Sequence, residues 1–276
     1  MPSISPIIKW AGGKSGLLDQ YAPYFPASYQ RYFEPFVGSA AVFFHLQPQR
    51  AFLSDSNAEL VALYQTVRDY PQELIAALHQ HHNDKAYYYA VRAQRPADLT
   101  PVERAARFIF LNRTCFNGLY RVNRSGQFNV PFGNHKNPTI CNEPRILAAS
   151  AALQSTQIDV ARFEEALGEA RAGDLIYLDP PYAPLSVTSS FTSYTSEGFG
   201  ADDQRRLAAI YHDLHERGCL LMLSNSSAPL IYELYEGHGY TLHPIAARRA
   251  INSNGGGRGV VTELLITNFD GKSPLS

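Results

Sequence analysis

Cysteine is scarce in this chain. Cys115, Cys141 and Cys219 are the three among 276 residues, and they stand far apart. Neither a disulfide framework nor a CxxC metal site can be written from them, so they read as free thiols. His79, His81 and His82 crowd together, but no cysteine or second histidine pair lies at ligand spacing in the sequence. They read as a helix end, and no metal is expected. Long hydrophobic runs are missing too: nothing approaches 18 consecutive apolar residues, and the opening MPSISPIIKW lacks the basic start and apolar stretch of a secretory signal. No membrane association is expected, and the cytosol is the default compartment. Charge of one sign is also lacking, because a net charge of −1 argues against a generally basic protein that coats nucleic acid.

What the chain does have is apolar and aromatic mass. Hydrophobic residues make up 45% of it, including 17 Tyr and 15 Phe, enough for a sizeable core and too many for a disordered polymer. Its length sits at the upper edge of one domain, or of one domain carrying an insertion. The near-zero net charge hides an asymmetry. Residues 85–150 hold ten Lys or Arg against three acids, a local +7 that leaves −8 for the remainder. Such a split is what a segment facing a polyanion would show, although a solvated basic face would show it as well.

Short apolar or aromatic runs alternate with segments of helical period, the pattern of a largely parallel sheet covered by helices. Tyr32-Phe33 runs into Glu34-Pro35-Phe36, Ala51-Phe52-Leu53 into Ser54-Asp55, Leu175–Leu178 into Asp179-Pro180-Pro181, and Leu220–Leu223 into Ser224-Asn225. In an open α/β sheet the ligand crevice lies outside the carboxyl ends of the strands, so these polar ends are expected to converge. Helices are expected over residues 39–46, 57–70, 72–81, 101–111 and 202–217, and the β-rich stretches 240–246 and 260–267 should close the sheet antiparallel. Between Asp84 and Ser150 the strand signal stops, and helical patterns surround a loop-like stretch, Asn112–Pro138, rich in Asn, Gly, Arg and Phe. We expect residues 1–56 and 151–276 to form a catalytic domain, with 57–150 inserted as a recognition domain.

Asp179-Pro180-Pro181-Tyr182 carries the strongest chemical signal. Two consecutive prolines fix φ and remove two N–H groups, so a carboxylate and a carbonyl can be held as rigid acceptors beside a flat ring. An exocyclic amino group on a planar base needs that combination: two acceptors for its two hydrogens and a surface to stack on. A proline-rich strand exit with a packing Tyr is the alternative. Phe33-Glu34-Pro35-Phe36-Val37-Gly38-Ser39 follows the first strand and opens a helix, but its lone Gly does not make the GxGxxG of a dinucleotide site. Asp55 follows about 20 residues later, where an acid commonly takes ribose hydroxyls. Trp10-Ala11-Gly12-Gly13-Lys14-Ser15 fails as a phosphate-binding loop, since Ile8 stands where the first Gly is required; Lys14 is expected to face a carboxylate instead.

Taken in order, Lys9–Lys14, Glu34–Gly38, Asn117–Arg121, Phe128–Gly133, Asp179–Tyr182 and Ser253-Asn254-Gly255 resemble the Dam-like family of DNA adenine-N6 methyltransferases, alpha group, over nearly the whole chain. The resemblance implies a Rossmann-like α/β methyltransferase sheet with an inserted, mainly helical DNA-recognition domain. It implies S-adenosylmethionine as methyl donor, S-adenosylhomocysteine as product, and an adenine flipped from duplex DNA as acceptor. It assigns Trp10, Gly12, Lys14, Glu34, Phe36, Gly38, Asp55, Phe163 and Asp179 to the cofactor, and Asp179, Pro180 and Tyr182 to catalysis on the base. Lys9, Leu119, Arg121 and Pro131 match positions that read GATC, Phe116 a wedging aromatic, and Asn117, Asn123 and Arg124 further DNA contacts. Asn134 departs from the family pattern where relatives carry a basic residue, as does Arg162 where many carry Asp or Ser. A monomer is expected, in a prokaryotic or phage-infected cell, either alone or beside a restriction nuclease. Methylation of cytosine N4 or of a protein glutamine is disfavoured by Asp at 179, and an inactive DNA-binding relative by the filled catalytic positions.

Overall fold

The helix starts follow from side chains that satisfy the orphan amides of a first turn. Asn57 accepts from the amides of Glu59 and Leu60, Asp84 from Tyr87 and Asn142 from Arg145. Thr100 and Glu103 form a reciprocal capping box. The computed structural model describes residues 4–185, 199–248 and 260–270; Ser253-Asn254-Gly255 lies outside them. In chain order the described elements are α1 (Leu18–Tyr21), β1 (Tyr32–Glu34), α2 (Ala41–Leu46), β2 (Ala51–Asp55), α3 (Ala58–Asp69), α4 (Pro71–His79), α5 (Lys85–Ala93), α6 (Pro101–Thr114) and α7 (Glu143–Leu153). They continue with β3 (Thr156–Val160), α8 (Phe163–Ala166), β4 (Leu175–Leu178), α9 (Ala201–Glu216), β5 (Leu220–Ser226), α10 (Pro229–Tyr235), β6 (Thr241–Arg248) and β7 (Val260–Thr267).

The sheet has seven strands in the order β3-β2-β1-β4-β5-β7-β6. β1 pairs with β4 and β4 with β5 in parallel, while β7 runs antiparallel to both β5 and β6. The fold is therefore mixed α/β, closed by the antiparallel pair expected from sequence. β3 gives no apolar run because the exposed Gln157 and Asp159 alternate with the buried Thr156 and Ile158.

By contacts the chain divides into two compact units, residues 1–15, 37–49 and 53–161, and residues 16–36, 50–52 and 162–276. In the first, Tyr88, Val91, Phe110, Leu111, Cys115, Phe128 and Val130 form a core beneath the loop that follows α6. In the second, β1, β4, β5 and β7 pack Phe33, Ile176, Leu178, Leu221, Leu223 and Ile266 against α9, through Leu207, Tyr211 and Leu214.

The basic excess of residues 85–150 does not all face outward. Arg104 pairs with Glu59, Arg107 donates to the carbonyls of Val91 and Arg92, and Arg113 donates to the carbonyl of Ile7. These charges hold the first unit together. Lys85, Arg95, Arg124 and Lys136 are the exposed part. His79 hydrogen-bonds Glu143 at 2.7 Å, with Cys141 close by.

Candidate active site

In the second unit, parallel pairing sets β1, β4 and β5 side by side, with Glu34 as the last residue of β1, Asp179 directly after β4 and Ser226 as the last residue of β5. Glu34, 2% exposed at the end of β1, accepts from the Tyr32 hydroxyl at 2.9 Å. Burial and the neighbouring carboxylate push the Tyr32 hydroxyl well up, so it stays a donor. Beyond β1, Phe36 stacks on Phe163 with centroids 5.5 Å apart, and Phe199 meets both rings at 5.8 and 5.9 Å. The structure thus brings two predicted residues together and adds Phe199, which had no sequence signal of its own.

Asp179-Pro180-Pro181-Tyr182 leaves β4 and is held at Asp179, Pro181 and Tyr182. The Ser224 hydroxyl donates to Asp179 Oδ1 at 2.8 Å, and Gln204 Nε2 to the Pro181 carbonyl at 2.8 Å. The Tyr182 hydroxyl donates to Glu263 Oε2 at 2.8 Å. The Ala183 amide donates to Asn225 Oδ1 at 3.0 Å, and the Ser226 hydroxyl donates to the Ala183 carbonyl. Asn225 Nδ2 in turn donates to Gln204 Oε1. Desolvation and the carboxylates of Asp179 and Glu263 push the Tyr182 hydroxyl well above its ordinary range, so it remains protonated. Every one of these anchors lies outside the motif; Ser224 and Asn225 were expected only as a polar strand end, and Gln204, Ser226 and Glu263 had no expected role. One signal was available: Gln204 interrupts the apolar stripe of α9 in phase with Leu207, Tyr211 and Leu214, and it is 1% exposed.

In the first unit, Trp10 lies over Tyr120 at 5.4 Å, and Tyr120 over Phe108 at 5.0 Å, both near parallel. Gly38 has φ +45°, and a Cβ there would stand 2.8 Å from Trp10 Cδ1, so the glycine is required by conformation and by space. Asp55 accepts from the amides of Gly38 (3.3 Å) and Asn57 (2.9 Å), and burial raises its pKa. Lys14 is buried, with its ammonium donating to the Gly12 carbonyl.

The predicted DNA-contacting residues of this unit lie at the chain's start and on the loop and hairpin after α6. Asn112 fastens Lys9 to the loop at Gly118. Phe116 is 52% exposed, and its amide donates to the Pro131 carbonyl. Asn117 is left-handed at φ 56°, a conformation Asn tolerates. Leu119 is half-buried. Arg121 Nε donates to Asn129 Oδ1 at 2.7 Å, and the Asn129 amide returns to the Arg121 carbonyl. Asn123 closes the tip of this hairpin by accepting from the amides of Ser125 and Gln127, and Arg124 is exposed there.

A mixed seven-stranded sheet of this order, with an Asp-Pro-Pro-Tyr loop at the carboxyl end of β4, is the fold of a methyltransferase that uses S-adenosylmethionine. Residues 10–251 match the model of the D12 class N6 adenine-specific DNA methyltransferases, and the chain belongs to that family. It is 44% identical to a type II methyltransferase of Lactococcus lactis subsp. cremoris, over 97% of this chain and 96% of that one. It is 40% identical to a type II methyltransferase of Methanocaldococcus jannaschii, over 96% and 99%. Identity to the DNA adenine methylase of Escherichia coli K12 is 36%, over 94% and 93%. The protein is an adenine-specific DNA methyltransferase. Among the described residues no helix is long and apolar enough to cross a membrane.

Proposed function

We propose that the enzyme methylates N6 of a flipped adenine in duplex DNA at GATC, with residues 57–150 as the recognition domain, acting as a monomer in the cytoplasm. The observation that carries the reaction is the Asp-Pro-Pro-Tyr loop, whose carboxylate is held by Ser224, whose Pro181 carbonyl is held by Gln204 and whose Tyr182 hydroxyl is held by Glu263. The GATC assignment is supported by the resemblance at Lys9, Leu119, Arg121 and Pro131.

The family implies S-adenosylmethionine, and the chain's residues fit it. In the second unit Glu34 offers a carboxylate and the stacked Phe36 and Phe163 offer rings, and in the first Asp55 offers a carboxylate beside the turn at Gly38. Acids for a ribose and a cationic amine, rings for an adenine and a close backbone approach are what such a nucleoside requires. We assign Trp10, Gly12, Lys14, Glu34, Phe36, Gly38, Asp55, Phe163 and Asp179 to it. When bound, it supplies a methyl group on a positively charged sulfur.

The chain's own work is on the acceptor. The amino lone pair of adenine is delocalised into the ring and attacks poorly. Hydrogen bonds from N6 to the Asp179 carboxylate and the Pro180 carbonyl localise that pair and aim it, while Tyr182 receives the ring on its face. With the methyl group supplied by the bound cofactor, Asp179 and Pro180 would hold the amine through the transfer, and the proton shed by N6 would leave to solvent. Extruding the base costs a few kcal/mol, which the exposed Phe116 offsets by wedging into the stack. The test is transfer from labelled S-adenosylmethionine to duplexes carrying GATC or its single-base variants, followed by nucleoside analysis. N6-methyladenine confined to GATC is expected; label in cytosine, or equal label in all duplexes, overturns the reading.

A further inference from the structure

We propose that Ser224 is a positioning residue for methyl transfer: its hydroxyl, committed as a donor by Tyr177, fixes the orientation of the Asp179 carboxylate. This rests on the reading of Asp179 as the group that takes the acceptor amine.

Ser224 is fully buried on β5, one step beyond the Leu178–Leu223 pairing of the parallel β4–β5 ladder, and is therefore set beside the residue that leaves β4. Its oxygen lies 2.8 Å from Asp179 Oδ1, 2.9 Å from the Tyr177 hydroxyl and 3.4 Å from the Leu178 carbonyl. A serine has one hydrogen to give, and a carboxylate can only accept, so the shortest of these contacts takes that hydrogen. The remaining short contact must then run the other way, from Tyr177 to Ser224. Burial supports the direction: it pushes the Tyr177 hydroxyl well up, and the Asp179 charge pushes it further, so Tyr177 keeps its proton. Tyr21, also fully buried, meets the Tyr177 ring edge-on at 6.4 Å, and burial and the Asp179 charge raise its hydroxyl in the same way. The result is a two-bond chain, Tyr177 to Ser224 to Asp179, in which each bond polarises the next.

The consequence is local. The terminal torsion of an aspartate is broad and not confined to one well, so backbone anchoring by Gln204, Asn225 and Ser226 does not by itself aim the carboxylate. Ser224 reaches the carboxylate itself.

The experiment measures steady-state kinetics on duplex DNA, S-adenosylmethionine affinity by calorimetry and melting temperature for Ser224→Ala, Tyr177→Phe, the double variant and Asp179→Ala. For Ser224→Ala, kcat should fall about 10- to 100-fold, as misplacing an attacking geometry does, with KM for DNA and cofactor affinity within about twofold. Tyr177→Phe should fall in the same direction by less, and the double variant should be no worse than Ser224→Ala, because Tyr177 acts through Ser224. A kcat within about twofold of wild type for Ser224→Ala, losses that multiply in the double variant, or loss of cofactor affinity and melting temperature in step with kcat would each overturn the proposal. Should Ser224→Ala not fold, Tyr177→Phe decides alone, since it removes only an oxygen. Activity in Asp179→Ala would sink the reading of the motif itself, whereas a dead Asp179→Ala beside an unimpaired Ser224→Ala would sink this inference only.

Discussion

Asn112 holds Lys9 by both of its backbone polar groups: Oδ1 accepts from the Lys9 amide at 2.9 Å, and Nδ2 donates to the Lys9 carbonyl at 2.9 Å. The same Nδ2 donates to the Gly118 carbonyl at 3.0 Å. A Cβ at Gly118, where φ is +67°, would stand 2.5 Å from Lys9 Cδ, so the two segments lie close enough that only glycine fits. Two predicted DNA-contacting stretches, one at the chain's start and one after α6, thus depend on one buried amide. Asn112→Ala should cost about 1–3 kcal/mol of stability by leaving these groups unpaired, and should weaken DNA binding more than cofactor binding. Urea denaturation and DNA titrations check the two parts; unchanged DNA affinity would show that Lys9 does not act from this position.

If, as proposed, the main work of the Asp179 carboxylate is on the acceptor amine, Asp179→Ala should abolish most of the activity and leave S-adenosylmethionine affinity within a few-fold. Calorimetry beside single-turnover kinetics separates the two. Loss of cofactor affinity comparable to the loss of rate would move Asp179 to the cofactor side of the reaction.

The strands carrying this site were legible because each pairs a short apolar run with an abrupt polar end: Leu175–Leu178 before Asp179, and Leu220–Leu223 before Ser224. Position within the fold also made the glycine turn at Gly38 readable. Most of the anchors were not. Ser224 and Asn225 stood out only as a polar strand end, and Gln204, Ser226 and Glu263 are ordinary polar residues whose meaning comes from partners 21 to 81 positions away, a pairing that no local pattern encodes. Charge misled in a similar way. Counting Arg104, Arg107 and Arg113 as surface overstated the face available to a polyanion, because those guanidinium groups pair with Glu59 or with backbone carbonyls inside the first unit.

Gly38→Ala should be costly at a single methyl. The residue's φ of +45° is strained for an L side chain, and the added carbon would press on the Trp10 ring at 2.8 Å. About 1–3 kcal/mol of destabilisation is expected, together with weaker cofactor binding if the turn lies against S-adenosylmethionine. Thermal melting with and without cofactor is the measurement. A variant as stable as wild type and stabilised equally by cofactor would show that the turn relaxes freely and touches no ligand.

In the second unit, Arg31 donates to Asp174 through Nε at 3.0 Å and Nη2 at 2.6 Å, with its guanidinium about 5 Å from the Phe33 and Phe52 centroids. Asp174 is fully buried and Arg31 is 8% exposed. Removing one partner of such a pair leaves an uncompensated buried charge, so Asp174→Ala should cost about 3–5 kcal/mol, and much of that should return in a double variant with Arg31→Met. Denaturant unfolding gives both numbers; equal losses in the single and double variants would mean that packing, not charge, sets the cost.

The proposed specificity can be tested at Arg121. Its Nε–H is committed to Asn129 Oδ1, and Asn129 is itself held by a backbone bond to Arg121 across the hairpin, so the plane of the guanidinium is set before DNA arrives. A fork fixed in that way suits the O6 and N7 of a guanine in the major groove, whereas a phosphate can be met by a mobile side chain. If Arg121 reads guanine, Arg121→Ala should relax discrimination at one position of GATC by about 1–3 kcal/mol, and Asn129→Ala should do the same more weakly by freeing the fork. If it meets a phosphate, every sequence should weaken alike and the salt slope should fall by about one. Methylation rates on GATC and its single-base variants across a salt series distinguish the two, and a uniform loss with the sequence ranking intact would assign Arg121 to the backbone and leave guanine to be read by another residue.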